Sequence, residues 1–289
     1  MSEAGIPRTM VFGAAGQLGT AIVRVFSDRA VIAHTHASLD VTDAAAVAGA
    51  IAAARPDLVV NCAAFNDVDG AEDRPSDALA VNAFAVRNIA RAAESVGATL
   101  VHFGTDFVFD GTATEPYGED APPSPRSTYS VSKLLGEWFA LDAPRAFVLR
   151  VESLFGMPRG WPGRRSTLDG IVDGLEQGRE VRVFTDRVVS PSYVEDVAAA
   201  TRHLIDSGAA PGLYHCVNSG HGTWHEVAQE VARRLGVAPR LQAMTMDQVT
   251  TKAARPRFCA LANRKLAEAG FAMPSWQDAL GRWLERRDI

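Results

Sequence analysis

Thr9-Met10-Val11-Phe12-Gly13-Ala14-Ala15-Gly16-Gln17-Leu18-Gly19 is the stretch that decides the fold of this chain. Its apolar start reads as a short buried strand. The glycines read as a turn, and Ile22, Val23 and Phe26 then recur at helical spacing. Strand, glycine-rich turn and helix, in that order, is the setting a phosphate-binding turn requires, because the amides of a helix N-terminus converge on an anion. Gly13 permits the tight turn, Gly16 lets a pyrophosphate approach the backbone, and Gly19 allows close helix–strand packing. The spacing is G-x-x-G-x-x-G, not the common G-x-G-x-x-G, and elsewhere it would serve a structural turn equally well. At the head of the first βα unit it favours a dinucleotide.

Outward from this turn, strand and helix patterns alternate. Strands are expected over 30–35, 58–63, Thr99–Thr105 and Ala146–Val151, with helices over 43–54 and 76–96 and another around Tyr129. Such alternation builds βαβ units, and right-handed crossovers turn these into an α/β, doubly wound parallel sheet. Residues 1–151 are expected to form the dinucleotide-binding domain. Past Phe155 the alternation weakens, and Trp161-Pro162-Gly163 marks a break. Residues 152–289 are expected to form mainly a smaller substrate-binding lobe, with some segments returning to the main sheet. The loop over 110–128 is rich in Pro, Gly and acids, which suggests an active-site border. There is no internal repeat.

The 289 residues are 47% hydrophobic with a formal net charge of −5. Mild acidity argues against nucleic-acid binding by bulk charge, and Arg164-Arg165 and Arg286-Arg287 read as solvated or salt-bridged pairs. The three cysteines, Cys62, Cys216 and Cys259, have no metal-ligand spacing and suggest reduced thiols in a cytoplasmic protein. No apolar run approaches the ~20 residues that cross a bilayer. Met1 to Arg8 is too short and polar for a signal peptide.

Chemistry enters at Tyr129-Ser130-Val131-Ser132-Lys133. A tyrosine four residues before a lysine puts both on one helix face, one turn apart. A phenol is a poor acid near neutral pH, its unperturbed pKa being about 10, and a nearby ammonium stabilises the phenolate. The pair can exchange a proton with a sugar or alcohol oxygen. Thr105 ends an apolar strand 24 positions before Tyr129, where ligands gather in an open α/β sheet, and its hydroxyl can bond the same oxygen.

At these residues the chain resembles the extended short-chain dehydrogenase/reductase superfamily and, within it, the dTDP-4-dehydrorhamnose reductase family, over nearly its whole length. Its start resembles the family's G-x-x-G-Q-L-G turn. Val60 through Glu72 is similar to the segment after the third strand, and Thr105-Asp106 through Gly111 to T-D-x-V-F-D-G. Pro116-Tyr117-Gly118-Glu119, Leu134-Leu135-Gly136-Glu137, Gly212-Leu213-Tyr214-His215, Thr223-Trp224, Arg255-Pro256 and Trp276 recur in the family's order. The resemblance implies NAD(P)H-dependent reduction of the 4-keto group of a nucleotide-activated 6-deoxysugar. It implies that Thr105, Tyr129 and Lys133 are the catalytic set. Gly13, Gly16, Gln17, Leu18, Gly19, Cys62, Ala63 and Ala64, with Tyr129 and Lys133, would meet the cofactor; Thr105, Asp106, Phe107 and Ser153 would meet the substrate. The chain departs from the pattern in places. Gly104 stands where the family has Ser, and Phe107 where it has Tyr. Val151-Glu152-Ser153-Leu154-Phe155-Gly156 stands where it often reads T-S-W-V-Y-G, so Ser153 replaces a pocket tryptophan. These departures lead us to expect a related 4-keto sugar and not the rhamnose-pathway substrate itself. Within the superfamily, a non-catalytic NADP-binding regulatory subunit and an epimerase or reductase at another sugar carbon are the alternatives.

The end of the second strand reads Ala33-His34-Thr35-His36, with no carboxylate to grip a ribose 2′-OH or repel a 2′-phosphate, so NADPH is expected, with NADH admissible. His34 and His36 either bond that phosphate or face solvent. Asp40-Val41 resembles the superfamily position that reads the adenine edge, and Asp40 serves equally as a helix-start residue. No metal is expected: His221 and His225 lack a third ligand in register, and Thr223 reads as an N-cap. Asp67, Asp69, Glu72 and Asp73 read as a solvated helix start. No nucleophile elbow supports hydrolysis. The oligomeric state stays open, a homodimer included.

Overall fold

Strands β1 (Arg8–Phe12), β2 (Ala30–His34), β3 (Leu58–Asn61), β4 (Thr99–Thr105) and β5 (Ala146–Val151) alternate with helices in the computed structural model, which describes residues 6–163 and 165–288. The helices are α1 (Gln17–Val25), α2 (Ala44–Ala54), α3 (Val68–Asp73), α4 (Pro75–Leu79), α5 (Ala85–Ser95) and α6 (Thr128–Leu141). The second half runs β6 (Leu154–Phe155), α7 (Thr167–Glu176), β7 (Val181–Phe184), β8 (Val188–Val189), β9 (Ser192–Tyr193), α8 (Val194–Asp206), β10 (Gly212–His215), β11 (Gly222–Thr223) and α9 (Trp224–Leu235). It ends with β12 (Leu241–Met244), α10 (Arg264–Glu268) and α11 (Trp276–Arg286).

Six strands form one parallel sheet in the order β10-β5-β4-β3-β1-β2. Every residue of β3 and β5 is buried, which is why these strands read as largely apolar, with Asn61 and Arg150 the exceptions: helices cover both faces. On one face, Leu18 and Ile22 of α1 meet Val197 and Leu204 of α8. On the other, Val47 and Ile51 of α2 meet Val86 and Ile89 of α5. A separate core joins Leu168 and Ile171 of α7, Val227 and Val231 of α9, and Trp283 of α11. The sixth strand and α8 therefore come from beyond residue 152. Strand order reverses between β1 and β3, and the cleft lies at the carboxyl ends of the strands there, where open α/β sheets take ligands.

Two expectations need correction. The helix expected over 76–96 is interrupted at Ala80–Phe84 by a wide π-type turn. Asn82 within it is fully buried; its side chain bonds both the amide (2.8 Å) and carbonyl (3.1 Å) of Phe65 and donates to Ser132 Oγ (3.0 Å). The wide turn thus lets one side chain reach both the loop after β3 and α6, a use typical of such bulges. The loop over 110–128 does not border the cleft. Tyr117 stacks on Phe109, ring centroids 4.1 Å apart, and its backbone pairs with Ala260 and Ala262, so the loop is pinned to the second half of the chain.

Candidate active site

Helix α6 starts where its sequence directs. Ser127 Oγ accepts the Ser130 amide while Ser130 Oγ accepts the Ser127 amide, a reciprocal cap. The Glu72 carboxylate takes both the amide and the hydroxyl of Thr128, each at 2.8 Å. With the start fixed, Tyr129 and Lys133 both turn inward, 8% and 3% exposed. Lys133 Nζ donates to the Phe103 carbonyl at 2.6 Å, tying it to β4 two residues before Thr105. Burial lowers the Lys133 pKa to about 8, with Glu137 working against the shift. The lysine thus remains mostly cationic at neutral pH. Phe107 meets the Tyr129 ring edge-on, centroids 5.6 Å apart. Gly136 lets α6 approach closely, since a Cβ there would lie 2.0 Å from the Asn82 carbonyl oxygen.

Gly104, the departure beside Thr105, has a packing cause. A Cβ there would fall 2.2 Å from Glu137 Oε1. Glu137 forms a buried ion pair with Arg150 at 2.8 Å, with side chains 1% and 4% exposed. The space of a serine is filled by that pair.

The glycine turn is shaped as its sequence suggests. Gly13 has φ +72°, a left-handed value, and a Cβ there would strike the Ala63 backbone at 2.6 Å. A Cβ on Gly19 would lie 2.2 Å from the Gly13 carbonyl oxygen, so Gly19 serves packing. Gly16 caps α1 with no side-chain bond, leaving the first amides of the helix for a ligand. Gln17 Nε2 is buried and has no partner. An uncapped helix start beside an orphaned donor suits the pyrophosphate of a dinucleotide.

These groups converge on one cavity of about 510 Å³. Gly16 to Gly19, Cys62 to Ala64, Thr105 to Phe107, Tyr129, Lys133 and Ser153 all line it. His34, Asp40 and Val41 are not on its wall. The His34 ring stacks on Phe12, 5.6 Å between centroids. Asp40 Oδ1 accepts the amide and hydroxyl of Thr42 (2.9 and 2.8 Å), bonds that lower its pKa, and Asp43 is the cap of α2. Ser153 adopts φ 43°, uncommon for a non-glycine residue. Trp161 and Trp224 also line the cavity, so aromatic wall is supplied from positions other than Ser153.

Residues of the second half join Asp106 in a charged cluster that motif and spacing do not reveal. Asp106, Glu152 and Cys259 are all buried, and their ligating atoms lie within 4.8 Å of one another. Glu152 Oε2 accepts the Ser190 amide at 2.7 Å. Arg187 supplies positive charge to the cluster, and its guanidinium carbon sits 5.6 Å from the Phe107 ring centroid. Burial raises the Asp106 pKa to about 6, opposed by Arg187. Burial and then the charge of Asp106 push Glu152 well above the carboxylate range. Glu152 stands out in the sequence as an acid directly after an apolar strand; nothing local marks Arg187 or Cys259.

The acids Asp67, Asp69 and Asp73 at α3 are exposed, as a solvated helix start would be, and are also engaged. Asp67 caps α3, Asp69 pairs with Arg255 at 2.7 Å, and Asp73 pairs with Lys252 at 2.5 Å. They fasten α3 to the segment around Arg255. Thr223 caps α9 reciprocally with Glu226, and His221 lies edge-on to Phe258. Arg287 is buried against Asp173 and Glu176. Arg165 pairs with Asp173, while Arg164 and residues 1–5 lie outside the described residues. No described helix is long and apolar enough to cross a membrane.

A family model described as the RmlD substrate binding domain matches residues 7–289. A dTDP-4-dehydrorhamnose reductase of Streptomyces griseus is 37% identical, the match covering 97% of this chain and 94% of that protein. A probable dTDP-4,6-dihydroxy-2-methyloxan-3-one 4-ketoreductase of Streptomyces antibioticus is also 37% identical, over 94% of this chain and 93% of that one. The crystal structure of dTDP-4-dehydrorhamnose reductase from Bacillus anthracis in complex with NADP is similar with a TM-score of 0.91 at 30% identity, covering 97% and 99% of the two chains.

Proposed function

This chain belongs to the dTDP-4-dehydrorhamnose reductase family, and from that premise we propose that it uses NADPH to reduce the 4-keto group of a nucleotide-activated 6-deoxysugar. The observation that carries the reading is the convergence of Thr105, Tyr129 and Lys133 on the cavity that the glycine turn also lines. Gly16 and the first amides of α1 would hold the pyrophosphate, with Gln17 beside them. NADPH, when bound there, supplies the hydride for the sugar carbonyl carbon. Tyr129 gives its proton to the carbonyl oxygen. The buried Lys133 cation stabilises the phenolate left behind and would hold the nicotinamide ribose. Thr105 orients the carbonyl oxygen, and the Phe103 carbonyl keeps Lys133 in place.

Phe107 and Ser153, where the family has Tyr and Trp, support a 4-keto-6-deoxysugar related to dTDP-4-keto-rhamnose as the preferred substrate, because a site's unpaired polar groups and aromatic walls discriminate between sugars. The test is NADPH oxidation followed by absorbance with a panel of dTDP-4-keto-6-deoxyhexoses, comparing kcat/KM. Turnover of any of them supports the reductase. Tight NADPH binding without turnover of any would point instead to a regulatory subunit, and a clear preference for dTDP-4-keto-rhamnose would show that the two substitutions do not redirect specificity.

A further inference from the structure

Thr105 has one hydroxyl hydrogen, and it is already committed. It points to Asp106 Oδ1 at 3.1 Å, while the hydroxyl oxygen accepts the Phe107 amide at 3.3 Å. An ionised Asp106 therefore competes with the substrate oxygen for the hydrogen that is to orient it. Beyond Asp106 lies a second acid. Asp106 Oδ2 and Glu152 Oε1 are both buried without a hydrogen-bond partner, in a cluster only 4.8 Å across. The groups facing the two carboxyls are the Arg187 guanidinium, the Cys259 thiol, the Ser190 amide, and the hydroxyls of Thr105 and Ser153. One guanidinium cannot offset two buried carboxylates, so the pair retains a proton.

We propose that Glu152 is a positioning residue for the reduction: it shares one proton with Asp106, and that proton frees the Thr105 hydroxyl to bond the substrate oxygen. With the proton on Asp106, the carboxyl no longer draws the Thr105 hydrogen, which turns to the carbonyl oxygen. With Asp106 ionised, the hydrogen stays on Asp106. Glu152 keeps the proton in place because the last ionisation would set a second negative charge beside the first. Burial raises both carboxyls above the ordinary range, so the pair keeps its last proton at a pH where a solvated carboxyl has lost it. The inference rests on the reading of Thr105 given above.

The experiment is the pH dependence of kcat for Glu152→Gln, expressed as a ratio to wild type so that the titration of Tyr129 cancels. Glutamine keeps the size of the side chain and an acceptor for the Ser190 amide, but holds no exchangeable acid proton. The ratio should stay within about twofold at acid pH and fall on the order of tenfold by about pH 8, the scale of one hydrogen bond to the reacting oxygen. KM for the sugar and the NADPH Kd should stay near wild type. A ratio that does not change with pH would overturn the proposal, because a structural defect lowers kcat equally at all pH values. Adding Asp106→Asn to Glu152→Gln should remove the fall of the ratio toward pH 8, and persistence of that fall would also overturn the proposal. Thr105→Val separates the underlying reading. If Thr105→Val leaves kcat unchanged, the role of Thr105 fails. If it lowers kcat while the Glu152→Gln ratio stays flat, only the role of Glu152 fails. If Glu152→Gln does not fold, the same comparison is made with Asp106→Asn alone, whose kcat ratio to wild type should rise at alkaline pH as the wild-type pair loses its last proton. A ratio for Asp106→Asn that stays flat would overturn the proposal.

Discussion

Two regions of the site are built on different terms. On the wall formed by α6 and β4, the reactive groups are tied by short bonds: Lys133 to the Phe103 carbonyl, Thr128 to Glu72, Ser132 to Asn82. Around Glu152, and behind it at Ser190 and Arg187, polar atoms are left over: Glu152 Oε1, Ser190 Oγ and Arg187 Nε are buried and unpartnered. The first arrangement suits proton transfer, which tolerates little displacement of the acid from the reacting oxygen. The second leaves hydrogen-bonding capacity open, where a ligand or a shift of protonation makes the difference. Fixed chemistry and adjustable surroundings thus adjoin where β4 and β5 end.

The largest effect expected tests the fixed wall. Tyr129→Phe keeps the ring that Phe107 packs against and removes the proton. Turnover should fall by about 10²–10⁴-fold, with NADPH affinity little changed by calorimetry. Near-normal turnover would break the comparison at its centre. Next comes Gly104→Ser, which restores the family's residue but drives a side chain into the Glu137–Arg150 pair. Overpacking of this kind costs about 1–3 kcal/mol, readable as a lower urea midpoint at unchanged slope. An unshifted midpoint would mean that the pair gives way easily and the wall is softer than its bonds suggest. Gly16→Val places a side chain where the pyrophosphate must approach. Calorimetry should show weakened NADPH binding with the thermal transition retained, since only the Gly13 carbonyl oxygen, at 3.2 Å, lies near a Cβ there. Equal affinity would make the glycine purely structural.

The smallest effect concerns the fastening of α3 to the second half. Arg255 lowers the Asp69 pKa to about 2. A depressed carboxylate pKa contributes stability that is present above the unfolded value near 4 and lost as pH falls toward 2. With the Asp69 side chain 40% exposed, solvent screening holds this contribution below about 1 kcal/mol. Asp69→Asn should therefore lower stability slightly at neutral pH and not at all near pH 2. An equal loss at both pH values would assign the residue a packing role.

How much was legible in the sequence follows from how local each signal is. Thr99–Thr105 and Ala146–Val151 were readable to the residue, because strands covered on both faces become largely apolar runs. The cap at Thr223 was readable because a capping box spans only four residues. The glycine turn and the Tyr129–Lys133 pair are equally local, and all but Gly13 and Ala14 of these line the cavity. The charged cluster was not readable. Its members, Asp106, Glu152, Arg187 and Cys259, come from four separate segments, and only the tertiary fold brings them together. The π-type turn at Ala80–Phe84 was hidden for another reason. Its residues have the apolar pattern of an ordinary helix, and only the bonds of Asn82 distinguish it.

The place of β10 in the sheet has a consequence for how the chain is made. Five strands are complete once Val151 has been synthesised, but the strand that covers the outer edge of β5 begins only at Gly212. At about 5–20 residues per second, the intervening residues take roughly 3–12 s to add. Throughout that interval each nascent chain carries an apolar strand with unpaired amides and carbonyls on one side, the kind of edge that pairs with other chains. A chain that stops in this interval, whether by truncation or by stalled translation, ends with its sheet open.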